Sequence, residues 1–200
     1  MKIGITGGIG SGKSYVCQRL QARGFAVYDC DDAAKRLIRC SDDIRQALTA
    51  LIGPDAYVAP SARPPYVLNK VAVARFLLES EANASAIDRI VHPTVFSDFE
   101  RSGLSWMECA IMFESGINRL VDRVIVVTAP DEVRISRVMQ RDGISRQQVL
   151  QWMERQWSQQ RVRALADDEI VNDGVADIDT QLDVLLRKYG LQGISDKTYT

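Results

Sequence analysis

The sequence predicts an α/β fold: a mostly parallel sheet of about five strands, with helices covering both faces. Three observations predict it. Short apolar runs at 3–6, 25–28, 106–112, 124–128 and 170–172 have strand length and are separated by segments with helical apolar spacing. Strands that alternate with helices pair in parallel, because a parallel connection has to cross the face of the sheet. A glycine-rich turn, Gly7-Gly8-Ile9-Gly10-Ser11-Gly12, joins the first strand to the first helix, at the strand exit where such sheets receive ligands.

Each element has its own residues. Ile3 and Ile5 make a buried strand, and the helix after the turn carries Val16 and Leu20 at an i,i+4 spacing, with Arg19 and Arg23 at its wet edge. After Gly24, Phe25-Ala26-Val27-Tyr28 reads as a second strand that ends at Asp29-Cys30-Asp31-Asp32. Ala33, Ala34, Leu37 and Ile38 then mark an amphipathic helix. Residues 41–65 are punctuated by Gly53-Pro54, Pro60 and Pro64-Pro65 and carry no assignment. Val73, Phe76 and Leu77 read as a helix, and Ile87, Ile90, Val91, Val95, Phe96 and Phe99 continue a helical region across Pro93. That length exceeds a simple crossover, so a helical subdomain at about 60–104 is expected within a single domain, 1–200. Trp106 to Met112 and Val124 to Thr128 are strands, the second ended by Pro130. From Ser145 to about Arg163, Val149, Trp152, Met153 and Trp157 are spaced for helical packing, and Ser145 with Gln148 forms a capping box. Ile170-Val171-Asn172 is the last strand, and Ile178, Leu182, Leu185 and Leu186 mark a closing helix.

The 25 Lys plus Arg against 26 Asp plus Glu leave a net charge of −1, so no general attraction to nucleic acid or membrane is expected. Locally the balance differs. Seven arginines, at 134, 137, 141, 146, 155, 161 and 163, face only Asp142 and Glu154, and this predicts an anion-handling lid at about 137–163. Cys17, Cys30, Cys40 and Cys109 have neither ligand spacing nor disulfide density, and reduced structural thiols are expected. No signal-like leader or membrane-length apolar run is read, so the expectation is a soluble, cytoplasmic protein; it is expected as a monomer, with an oligomer as the alternative.

Gly7 to Ser14 is a complete G-x-x-x-x-G-K-S sequence between strand and helix. Its backbone N–H groups wrap the terminal phosphates of a nucleotide, Lys13 adds a mobile positive charge, and Ser14 offers an oxygen to magnesium. Lys13 and Ser14 make this a P-loop nucleoside-triphosphate-hydrolase-like fold rather than a dinucleotide-binding one. Asp31, at the exit of the second strand, is the candidate to accept a hydroxyl proton, with helix capping as the competing role. Asp29 shapes the same site or binds magnesium through water, and Asp32 is a helix cap or first-turn charge. Arg137 and Arg141 are four apart, on one helix face before Asp142-Gly143. His92, the only histidine, either positions a substrate or packs structurally. Glu108 falls inside a strand, so Glu114 is the better solvent-accessible carboxylate. Trp152 and Trp157 are packing residues, and Asn172-Asp173-Gly174 borders an adenine or is a plain turn.

The chain resembles dephospho-coenzyme A kinases over nearly its whole length. The resemblance rests on Ile5-Thr6-Gly7-Gly8-Ile9-Gly10-Ser11-Gly12-Lys13-Ser14, Asp29-Cys30-Asp31, Val91-His92-Pro93, Phe113-Glu114, Arg141-Asp142-Gly143 and Asn172-Asp173-Gly174, in that order. It implies transfer of the terminal phosphoryl group of ATP, with Mg2+, to the ribose 3′-hydroxyl of dephospho-coenzyme A. It also implies a helical coenzyme-binding subdomain and a mobile lid. Asp31 then matches the second aspartate of an Asp-Ala-Asp pattern and is the general base, joined in catalysis by Lys13 and Arg141. ATP falls to Gly8, Ile9, Gly10, Ser11, Gly12, Lys13, Ser14, Tyr15, Arg141 and Asn172. The acceptor falls to Thr6, Asp29, Asp31, His92, Phe113 and Glu114. The chain departs from the family pattern at Cys30, where alanine is usual, at Tyr15, where threonine often stands, and at Cys109-Ala110-Ile111-Met112, where Ile-Pro-Leu-Leu is frequent.

Competing readings are a nucleoside or nucleotide monophosphate kinase, a regulatory GTPase and a nucleic-acid ATPase. Asn69-Lys70 lacks the following base-reading carboxylate, since Ala72 holds that position. The basic cluster is confined to the lid, which disfavours a nucleic-acid surface.

Overall fold

The structure is a computed structural model that describes residues 1–58 and 63–191. Pro60, and with it the expected start of the helical subdomain, lies outside the described residues. The chain forms two compact units. One comprises residues up to Tyr28 and those from Leu104 onward, and the other is Asp29–Gly103.

The first unit begins with β1 (Ile3–Thr6), the glycine loop, α1 (Lys13–Ala22) and β2 (Val27–Asp29). The helical unit follows with α2 (Cys30–Cys40), α3 (Asp42–Ile52), a 3-10 turn at Pro54–Ala56, α4 (Lys70–Glu79) and α5 (Ala82–Ser102). The chain then returns with β3 (Trp106–Glu108), α6 (Met112–Ser115), a second 3-10 turn, β4 (Arg123–Thr128), α7 (Asp131–Asp142), α8 (Arg146–Glu154), α9 (Gln159–Leu165), β5 (Asp168–Val171) and α10 (Ile178–Lys188).

The five strands are ordered β2-β3-β1-β4-β5, which places β1 at the centre. It pairs in parallel with β3, Ile5 opposite Glu108, and with β4, Ile5 opposite Ile125, while β4 pairs in parallel with β5. A central parallel strand is covered on both faces, and every residue of β1 is buried accordingly. Val16, Cys17 and Leu20 of α1 and Ile178, Leu182, Leu185 and Leu186 of α10 close one core over Ile3, Ile5, Ile125, Val127 and Ile170. This rigid block sets the position of the loop at the end of β1.

Four local expectations change. The second strand starts at Val27, because the N–H of Phe25 still bonds to the Leu20 carbonyl (3.1 Å) and Phe25 packs by its ring against Trp106. The strand expected from Trp106 to Met112 ends at Glu108, and the apolar run continues as a turn into α6, with Met112 fully buried. Apolar content alone does not separate a buried strand from a buried turn of helix. The segment from Ser145 to Arg163 is two helices: the Ser145–Gln148 capping box starts α8, and Ser158 caps α9 by accepting from Arg161 N (3.2 Å). Arg19 and Arg23 are not at a free wet edge. Arg19 Nε reaches Asp179 Oδ1 at 2.9 Å, and Arg23 reaches Asp179 at 2.7 Å and Asp183 at 3.1 Å, fastening α1 to α10.

Arg19 and Arg23 hold the Asp179 carboxyl below the usual carboxylate range, chiefly through the Arg19 hydrogen bond. A carboxylate whose pKa is depressed by folding contributes stability above its unfolded pKa and loses it as pH falls through the folded value. Asp179→Asn is therefore expected to cost about 1 kcal/mol at pH 7, a screened surface value. Thermal unfolding at pH 7 and again below pH 3 checks this, since the difference from the parent should fade in acid.

In the helical unit α2 and α3 pack on α5, whose Val91, Val95, Phe96 and Phe99 are buried. Asp29 Oδ1 caps α2 by accepting from Asp32 N (3.0 Å), so the cap is Asp29, and Asp31 and Asp32 occupy the first turn. Residues 42–52, unassigned from sequence, form α3, capped by Ser41 and stopped by Gly53-Pro54. In α4 the buried residue is Ala72, and Leu77 is 41% exposed.

Candidate active site

The glycine loop owes its shape to what grips it from behind. Ile9 carbonyl accepts from Arg134 Nε (3.0 Å), and Ser11 carbonyl accepts from Asn172 Nδ2 (2.9 Å). Within one trans peptide unit the carbonyl and the following N–H point opposite ways. Holding those two oxygens therefore turns the Gly10 and Gly12 N–H groups to the other side, toward an anion. Gly10 and Gly12 have φ of 78° and 91°, a region that suits glycine. A Cβ on Gly10 would stand 2.5 Å from the Arg134 carbonyl, and one on Gly12 2.0 Å from Asn172 Nδ2. The braces can approach this closely because neither position carries a side chain.

Below the loop, α1 starts at Lys13 with neither a side-chain cap nor an acidic first turn, so its leading amides and the positive end of its dipole favour an anion. Lys13 is only 9% exposed, and its Nζ lies 3.8 Å from Glu108 Oε1 at the end of β3. Ser14 and Tyr15 are exposed on the first turn, and Thr6 is buried where β1 enters the loop. The apolar side of the arginine-rich segment packs against the loop as well: Ile135, Val138 and Val149 form a cluster joined by Ile9, Ile144 and Met153.

The braces are themselves fixed. Arg134 is 5% exposed and also binds Asp131 Oδ1 (3.0 Å), and Arg137 donates to the carbonyl (3.0 Å) and Oδ1 (3.2 Å) of Asn172. The Asn172 side chain is thus engaged between Ser11 and Arg137, and Asp173 accepts from Val175 N and Ala176 N in the turn beyond it. Arg141, expected beside Arg137 at the nucleotide, instead binds Asp142 with both Nε (2.8 Å) and Nη2 (2.7 Å) and holds that carboxyl below its ordinary range. Asn172→Ala removes a buried partner from Ser11 and from Arg137. A roughly tenfold rise in the KM for the nucleotide, with a smaller change in kcat, is expected from steady-state kinetics.

Glu114 is not the open carboxylate that its place after the strand suggests. Its Oε1 accepts from Trp157 N (3.2 Å), and its Oε2 is buried without a hydrogen bond; Phe113, beside it in α6, is partly buried. Glu108, set aside as an interior strand residue, is the acid beside Lys13. Gln156, which no motif marks, accepts from the loop's Ile9 N–H through Oε1 (2.8 Å). The sequence offered one signal for Glu108: an acid at the last position of an apolar strand. It offered none for Gln156. In the helical unit Asp31 is exposed on the first turn of α2, and His92 on α5 approaches Asp88 (3.5 Å) and stacks on Phe96 at 6.1 Å.

The arrangement can hold an oligophosphate by backbone amides and one ammonium group. A magnesium ion would find an oxygen donor in the exposed Ser14 hydroxyl, because this ion takes few protein ligands. Among the described residues no group of three or more His, Cys, Asp or Glu could hold a metal, and no helix is long and apolar enough to cross a membrane.

The family model described as dephospho-CoA kinase matches residues 1–177. A dephospho-CoA kinase from Porphyromonas gingivalis is 42% identical over 170 residues, spanning 82% of this chain and 80% of that protein. One from Bacteroides fragilis is 36% identical over 181 residues, spanning 87% and 85%. Among solved structures, a Thermus thermophilus protein superimposes with a TM-score of 0.77 at 31% identity, over 94% of this chain and 97% of the other.

Proposed function

The chain belongs to the dephospho-CoA kinase family, and on that premise we propose that it transfers the terminal phosphoryl group of ATP to the ribose 3′-hydroxyl of dephospho-coenzyme A, giving coenzyme A and ADP. The observation that carries the proposal is the braced loop: amides turned outward by Arg134 and Asn172, with Lys13 beside them. Phosphoryl transfer asks for alignment and charge compensation more than for covalent chemistry, and this loop is built for both.

In this reading the amides of Gly10, Gly12, Lys13 and Ser14 hold the donor phosphates, those of Ile9 and Ser11 being bonded within the protein, and Lys13 offsets the charge that gathers on the transferred group. Ser14 is the protein's ligand to magnesium, with Glu108 near enough to Lys13 to order the charges around it. At the Ser14 hydroxyl, bound magnesium would supply positive charge to offset that of the donor phosphates. Asp31 accepts the proton of the attacking hydroxyl, and Asp29 and His92 help to seat the acceptor. The segment at about 137–163 is the lid: for Arg141 to reach the nucleotide it must exchange Asp142 for a phosphate, a swap between two anions that guanidinium geometry allows. Closing such a segment keeps water from intercepting the phosphoryl group.

The test is purified protein with ATP, magnesium and dephospho-coenzyme A, with the new phosphate located by NMR, against a panel of nucleosides, nucleoside monophosphates and shikimate. Phosphate on the ribose 3′-oxygen of dephospho-coenzyme A alone is the expected result. Faster turnover of a nucleoside or nucleotide would sink the acceptor assignment.

A further inference from the structure

The short connection between α8 and α9, residues 155–158, is tied to the body of its unit at successive points. Gln156 Oε1 accepts from Ile9 N (2.8 Å), Trp157 N donates to Glu114 (3.2 Å), and just beyond, Gln159 Oε1 accepts from Ala129 N (3.1 Å). The Arg161 guanidinium lies over the Trp157 ring, 3.3 Å from its centroid. Gln156 is partly buried, and of these hydrogen bonds its own is the one that reaches the glycine loop.

Resting on the nucleotide reading above, we infer that Gln156 is a positioning residue for the terminal phosphoryl group: the Ile9 N–H pins its Oε1, so that Nε2 is presented to that group as a neutral donor. The direction of the amide follows from chemistry, since an N–H must face oxygen, which leaves the NH2 on the other side. No acceptor among the described residues takes an Nε2 hydrogen of Gln156. The anchor is stiff because the two peptide units that flank Ile9 are both held, one through the Ile9 N–H by Gln156 and the next through the Ile9 carbonyl by Arg134.

The terminal phosphate is the natural recipient. The amides where the loop enters α1 serve the inner phosphates, and Ile9 sits four residues earlier, at the far end of the same curl. An amide donor there adds direction without further charge, which suits a group whose oxygens spread apart as it transfers.

The experiment compares Gln156→Glu and Gln156→Ala with the parent chain by calorimetric titration with ADP and with a non-hydrolysable ATP analogue in magnesium buffer. Apo thermal unfolding monitors folding. Glu keeps the acceptor for Ile9 N–H but replaces the donor by a carboxylate oxygen. Its affinity for the triphosphate analogue should fall by about tenfold or more, the scale of one hydrogen bond to a charged group, while ADP binding changes by less than about twofold. Gln156→Ala should show the same bias to a smaller degree. A Glu variant that binds both nucleotides like the parent, or loses both equally, would make Gln156 a tether of the connection only and overturn the inference. A parent chain that binds neither nucleotide would overturn the inference together with the reading beneath it. A parent that outbinds the Glu variant on the triphosphate alone, yet leaves dephospho-coenzyme A unphosphorylated, would uphold Gln156 and remove only the acceptor.

Discussion

Lys13→Ala is expected to lower kcat by about 10^3-fold, on the order of 4 kcal/mol of transition-state stabilisation, and to weaken ATP binding as well. Two effects add. The ammonium group that meets the transferring charge is gone, and the cation 3.8 Å from Glu108 is withdrawn from a carboxylate only 14% exposed. The carboxylate then adds a negative field where phosphate must sit. Steady-state kinetics and nucleotide titration of the single variant and of Lys13→Ala with Glu108→Gln separate the two. The double variant should recover part of the lost nucleotide affinity while its kcat stays low, a coupling expected of residues in contact. Parent-like turnover in Lys13→Ala would end the proposed role of the loop. Equal affinity in the single and double variants would end the proposed role of Glu108.

Asp31→Asn is expected to reduce kcat by about 10^2 to 10^4-fold, the usual worth of a positioned proton acceptor, with ATP affinity held within about twofold. Loss of the fold is not an alternative explanation. Asp31 is exposed in the first turn of α2, and removing a charge there costs only about 0.3–1 kcal/mol of helix-dipole interaction. The helix keeps its cap, because the cap is Asp29. That separation supplies the control: Asp29→Asn preserves capping, as asparagine serves equally well, and should raise the KM for the acceptor while leaving most of kcat. The proton-accepting role passes to Asp29 if its variant falls as far as that of Asp31, and Asp31 drops out entirely if its own variant turns over normally.

The residues legible in advance were those whose role depends on near neighbours in the chain. The phosphate loop, β1, the Ser145–Gln148 capping box and the buried stripe of α10 are written at spacings of two to four residues, and the structure has them where they were expected. Where a reading failed, the local pattern was shared by two structures. The apolar run after Trp106 suits a strand or a buried helix turn equally, and the stripe from Val149 to Trp157 does not reveal that Ser158 begins a second helix. Arg19 and Arg23 read as solvated because a charge at the edge of a helix carries no mark of its partner, here more than 150 residues later.

Local periodicity and motif spacing were enough to predict the parallel sheet and the glycine-rich turn, because backbone geometry ties each of these to residues a few positions apart, while the family was suggested by a resemblance over motifs spread from Ile5 to Gly174. Which side chains hold that turn in shape was settled only when β5, α7 and the α8–α9 connection were brought against it. Asn172, Arg134 and Gln156 reach Ser11 and Ile9 across separations of 161, 125 and 147 residues. A hydrogen bond at such range leaves no period in the chain, since its energy depends on where folding places two groups and not on what lies between them.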